Sequence, residues 1–263
     1  MNSRRTDLLL VVTTLGAAAA LLWPLWLSDE SHLGAVQHPE APLLVAALIP
    51  LLVLAMLFEL SSSHLDAKSI AILGVLCAGG AALRIPTGGL VPVEMVFFLL
   101  IPGGRVMGRG FGFIQGALTI GISAILTAGV GPWLPFQMIA AAWIGLGAGC
   151  LPPLRGRAEV LMLGCYAAVS SYLFGLVLDL WFWPFAVGEE SSLSFVAGDS
   201  VVSNLRRFLV FHFTTSLGWD TARAVTLVSL TLMGGPSVLA ALRRTRRMAV
   251  VRPVPSVPAL ADS

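Results

Sequence analysis

A chain of 263 residues that is 57% hydrophobic and only 11% charged falls well below the roughly 25% charge of an ordinary soluble domain. Its mean hydropathy of +0.88 is more than one buried core can absorb, so lipid is the expected solvent for most of the surface. The formal net charge of +2 selects no partner.

A span of hydrocarbon needs about 20 apolar residues in helix. In chain order, residues 8–27 supply the first, behind Arg4 and Arg5; the run is longer than the hydrophobic region of a signal peptide, so a retained helix is expected. An acidic stretch at 28–41 leads to a second span at 42–60 and a third at 69–83. The fourth, 90–107, is interrupted by Pro92, Pro102 and Gly103–Gly104. The fifth is read at 108–128, the sixth at 134–151 before Pro152–Pro153, the seventh at 159–183 and the eighth at 221–242. Between the last two, residues 204–217 have the spacing of an interfacial helix or lid. The fold expected is thus all-α and polytopic. Two N-terminal helices (1–67) precede a six-helix membrane domain (68–248), and a Pro- and Val-rich tail at 249–263 is expected to be disordered.

Counting basic residues in alternate connections puts Arg4/Arg5, Lys68, Arg105/Arg109, Arg155/Arg157 and the Arg243–Arg247 cluster on one side, which the positive-inside rule makes cytoplasmic. Both termini are then inside, in a bacterial inner membrane. Six of the seven tryptophans fall near the outer face, as an aromatic belt would.

Polar residues within spans are costly in lipid and need an account. Arg84, Glu94, Gln137, Asp179, Asp220 and Arg223 come from five spans and share the outer half of the membrane in this topology. They could line one outward-facing pocket. In the plainer reading Arg84 snorkels, and Asp220 caps the last helix and pairs with Arg223 at i,i+3. Two Gly/Pro segments lie at the same level, at 84–89 (with Thr87) and 129–135 (with Trp133). They are either tight turns or cavity-lining backbone. Small residues recur every fourth position at Gly74/Ala78/Ala82, at Gly108/Gly112/Gly116 and at Ala141/Gly145/Gly149. Such stripes let helices approach closely, within this bundle or against another membrane protein.

No P-loop, HExxH or GxSxG motif is present, and no basic-aromatic groove points to nucleic acid. Cys77, Cys150 and Cys165 lie in apolar runs without metal-ligand spacing, so neither metal nor cofactor is implied. His212 falls in the long outer connection; His32, His38 and His64 suggest solvated loops.

Three segments carry a resemblance: ALRIPTGG at 82–89, VPVEMVFFLLIPGGRVMGRGFGFIQG at 91–116, and above all GVGPWLPFQMIAAAWIGLGAG at 129–149. With YLFGLVLDLWFWPF (172–185) and RRFLVFHFTTSLGWDTARA (206–224), they resemble substrate-specific (S) components of energy-coupling factor (ECF) ABC importers of the actinobacterial type, over about residues 68–248. The resemblance implies a six-helix S-component fold that holds a micronutrient on the outer side by connecting loops; the candidate binding residues of this chain are Arg84, Thr87, Glu94, Trp133, Gln137, Asp179, Trp181, Asp220 and Arg223. It implies partners as well: a membrane coupling subunit met by Gly74, Ala78 and Ala82, and two cytoplasmic ATPases. Metal-type members begin Met-His, whereas this chain begins Met1–Asn2–Ser3. An organic vitamin-type substrate, cobalamin-like as first choice, is therefore expected. The family does not account for residues 1–67. The alternative from another class is an intramembrane enzyme using Glu94, Asp179 or Asp220 as acid or base.

Overall fold

The computed structural model describes residues 3–22, 67–86, 93–186, 191–196 and 198–250. All regular structure among them is helical. We number the helices α1 (Ser3–Leu21), α2 (Ala67–Arg84), α3 (Leu100–Met107), α4 (Arg109–Leu126), α5 (Leu134–Cys150), α6 (Gly156–Ala186), α7 (Val201–Thr215) and α8 (Leu217–Val250). Four of these, α2, α4, α6 and α8, are long and apolar enough to cross a membrane, in keeping with a helical membrane protein. The expected second span, Thr87 and the 251–263 part of the tail lie outside the described residues.

Packing contacts fix the directions of the helices. Cys77, Gly80 and Arg84 of α2 meet Gln115, Thr119 and Ser123 of α4 in the same order, so these two run parallel. On α4 and α5, Gly112 faces Gly145 and Gly116 faces Ala141, so they run antiparallel. A Cβ on Gly112, Gly116 or Gly145 would strike backbone of the other helix. The glycine and alanine stripes of α4 and α5 therefore serve packing within this bundle. The third stripe differs: Gly74, Ala78 and Ala82 lie on the exposed face of α2, opposite its buried Leu73, Cys77 and Ala81.

The fourth element departs most from expectation. Of the span expected at 90–107, the described residues 93–107 hold helix in a 3-10 turn at Val96–Leu99 and the eight residues of α3. Pro102 lacks an N–H, and Gly103 and Gly104 are poor helix formers. The piece is nevertheless enclosed, with Leu100 through Gly104 all buried. Irregular backbone at such depth needs protein around it and a partner for freed carbonyls. Gln115, fully buried on α4, donates its Nε2 to the Leu99 carbonyl at 3.0 Å.

The segment expected as an interfacial helix or lid forms α7, capped by Ser200, whose side chain accepts from the Ser203 N–H. Asn204 clamps the preceding loop, accepting from Val196 N–H at 3.1 Å and donating to its carbonyl at 2.8 Å. Phe208, Phe211 and His212 pack inward. Val202, Leu205, Leu209, Val210 and Phe213 face outward, an apolar surface suited to lipid rather than water.

Candidate functional site

The antiparallel pairing of α6 and α8 and the alternating directions of the other helices bring Arg84, Glu94, Gln137, Asp179, Asp220 and Arg223 to one end of the bundle, as their spacing suggested. At the centre stands Arg223. Its Nε lies 2.6 Å from Glu94 Oε2 and its Nη1 2.6 Å from Asp220 Oδ1, while Nη1 also reaches the Ser171 carbonyl at 3.2 Å. The guanidinium carbon sits 5.1 Å from the Phe174 ring centroid, a favourable cation–π placement. The i,i+3 pairing of Asp220 and Arg223, one of the plainer readings, is therefore realised.

The chain of contacts continues through His212, which lies in the segment expected as an interfacial helix or lid and is not among the expected pocket residues. His212 Nδ1 is 2.6 Å from Asp179 Oδ2, and its Nε2 faces Asp220 Oδ2 across 3.9 Å. That oxygen is buried and has no hydrogen bond among the described residues. Phe208 stacks on the imidazole at 6.1 Å between centroids. A signal was available: Asn204, Phe208 and His212 recur every fourth residue, one face of a helix that turns inward.

Arg84 makes a second branch, donating to Ser123 Oγ at 3.0 Å and to Gln137 Oε1 at 3.3 Å. It also lies within electrostatic reach of Glu94. Together Glu94, Asp179 and Asp220 oppose Arg84 and Arg223.

The two aromatic candidates behave differently. Trp133 stays 41% exposed on the turn before α5, its Nε1 donating to the Gly129 carbonyl at 3.2 Å. Trp181 is packed against Phe136, with 5.1 Å between centroids, inside a second core that also holds Trp183 and Phe208. Its buried ring serves packing in this conformation.

The opposite end holds an ionic cluster that was not anticipated as such. Glu159, 1% exposed, accepts from Arg105 Nε at 2.8 Å and from Arg243 Nη2 at 2.6 Å. Arg105 also donates to the carbonyls of Leu151 (2.8 Å) and Leu154 (3.3 Å), and Arg246 donates to that of Val106 (2.6 Å). The Leu151 and Val106 carbonyls lie at the C-terminal ends of α5 and α3, and the Leu154 carbonyl belongs to the loop that follows α5. Asp179 and Glu159 lie twenty residues apart on α6, as do Arg223 and Arg243 on α8. The two clusters are therefore about 30 Å apart at 1.5 Å per residue. Comparison with known families, curated proteins and solved structures returns no match for the chain.

Proposed function

We propose that the chain is the substrate-capturing membrane subunit of an ECF-type importer, binding an organic micronutrient at the end of the bundle that carries Arg84, Glu94, Gln137 and Asp220. The observation that carries this reading is the convergence of polar side chains from α2, the segment before α3, α5, α6, α7 and α8 at one end. An apolar bundle has no need of so many at one level for stability alone. Trp133 and the turn around it stay exposed beside them. The coupling role rests on the uncovered stripe Gly74, Ala78 and Ala82, where a second membrane protein could pack closely. ATP hydrolysis would belong to cytoplasmic partner subunits.

The test is affinity purification of the full chain from native membranes in mild detergent, with mass spectrometry of the co-purifying proteins. Recovery of a membrane coupling protein and two ATPase chains is expected, lost in Ala78→Leu. Purification without them, under conditions that keep other ABC complexes whole, would overturn the importer reading. Ligand capture is read separately by tryptophan fluorescence with a vitamin panel headed by cobalamin. Affinity should fall in Gln137→Ala and Trp133→Ala.

A further inference from the structure

The end of the bundle built around Glu159 carries a surface that the capture reading does not use. A cavity of about 950 Å³ is lined by Arg105, Arg155, Arg243, Arg246 and Arg247, together with Val106 and the Pro153–Leu154 turn. Glu159 is the acid paired there, so the five arginines keep four positive charges uncompensated among the described residues. Arg155 and Arg247 are exposed and have no ion-pair partner among those residues. Guanidinium forks of this kind match phosphate oxygens in geometry and charge.

A second cavity, about 590 Å³, shares Arg243 with the first and follows the seam of α6 and α8. Beyond Arg157 and Glu159 at the end near Arg243, its wall is apolar, formed by Val160, Leu161, Leu232, Pro236, Leu239 and Ala240. Leu161 and Leu232 are 61% and 42% exposed, so the groove opens sideways, on the face where lipid would lie. From Arg243 back to Leu232 is eleven residues of α8, about 16 Å. One leaflet of hydrocarbon is about 15 Å deep.

We infer that this end of the bundle binds an anionic glycerophospholipid. Its phosphate sits among Arg155, Arg243, Arg246 and Arg247, and one acyl chain lies in the α6/α8 groove. The shared residue Arg243 is what makes the two cavities one amphipathic site. A free phosphate, a nucleotide or an acidic protein segment would use the basic part and leave the groove empty. Basic pockets between membrane helices recognise lipid headgroups by this combination.

The experiment is thermal unfolding of the purified full chain in a neutral detergent, titrated with phosphatidylglycerol, with phosphatidylcholine of the same acyl chains, and with inorganic phosphate. Phosphatidylglycerol is expected to raise the midpoint by about 4 °C, with no response to the other two. Arg155→Gln/Arg247→Gln changes exposed side chains and should fold normally. It should need about 30-fold more phosphatidylglycerol for half the effect. Leu232→Trp, which fills the groove, should also weaken the response. Equal stabilisation by both lipids, an unchanged titration in the double variant, or full reproduction by inorganic phosphate would each overturn the assignment.

Discussion

The guanidinium of Arg223 and the carboxylate of Glu94 meet at 2.6 Å although 129 residues separate them in the chain. Glu94 stands before the shortest membrane element, α3, and Arg223 near the start of the longest helix, α8. The pair ties a segment with little helix of its own to the frame. Arg223→Met would leave Glu94 and the nearly inaccessible Asp220 without their cation. A loss of about 3 kcal/mol is expected, read as a fall in Tm in detergent. Adding Asp220→Asn should recover part of that loss, because the two changes act on one network.

Removing His212 should also destabilise, by about 2 kcal/mol in His212→Leu. Asp179 loses its 2.6 Å partner, and Asp220 Oδ2 loses the imidazole facing it. Asp179→Asn keeps a hydrogen-bonding group opposite Nδ1 and should cost less. Equal Tm values for His212→Leu and the parent would show that the imidazole contributes nothing to the fold.

Glycines on two helices should respond oppositely to the same small change. In Gly145→Ala the new methyl group meets the Gly112 carbonyl, and neither backbone can yield without parting α4 from α5. A loss of about 3 kcal/mol is expected from such overpacking. Gly74 has open space around a Cβ. Gly74→Ala should therefore gain up to about 1 kcal/mol from helix propensity alone. Thermal midpoints of both variants decide the point.

At the other cluster, exposure ranks the two arginines that hold Glu159. The Arg105 side chain is 9% exposed and Arg243 42%. Arg105 also caps two carbonyls. Arg105→Gln should cost about 3 kcal/mol, whereas Arg243→Gln should cost about 1 kcal/mol or less. The reverse order in urea or thermal unfolding would show that the two bonds Arg243 makes to Glu159 outweigh the deeper burial of Arg105.

Outside the spans, Arg207 donates to Asp199 at 2.6 Å and holds its carboxyl below the usual carboxylate range; the Ser200 N–H adds to the same effect. A depressed carboxylate stabilises the fold at pH above its unfolded value and loses that contribution as pH falls through the folded one. Acidification should accordingly lower the amide protection factors, taken relative to the intrinsic exchange rate at each pH, at Ser200–Asn204, the entry to α7. In Arg207→Gln the acid-dependent loss of protection should shrink, leaving the smaller part due to the Ser200 N–H.

Much of this arrangement was legible in the chain. Apolar length gave α2, α4, α5 and α6 within about three residues, while α8 runs eight residues beyond the expected 221–242 at its C-terminal end; polar residues at one expected level gave the cluster at the Asp220 end. The stripes of α4 and α5 showed where backbones touch. Other features were settled only by tertiary contacts. The residues around α3 look like a full apolar span because most are hydrophobic, yet Pro102 and Gly103–Gly104 leave a short helix whose Leu99 carbonyl is taken up by Gln115. The helix holding His212 was expected, but not that His212 joins the polar cluster, because a mixed segment reveals its inward face only once there is something to pack against. Glu159 drew no notice because a single acid at a helix start is unremarkable; Arg105 and Arg243, 54 and 84 residues away, make it a hub. Trp181 lay at the expected level but turned towards Phe136.

The separation of the two ionic clusters acts as a ruler. Both are locked between helices, so the interval of about 30 Å set by α6 and α8 is not easily stretched or shortened. A bilayer of matching hydrocarbon depth would meet charge only at its two boundaries. In a thinner one the bundle must lean until the vertical interval fits, and in a thicker one the lipid must pucker towards it. Membrane thickness would then bias the tilt of this protein without touching any binding residue.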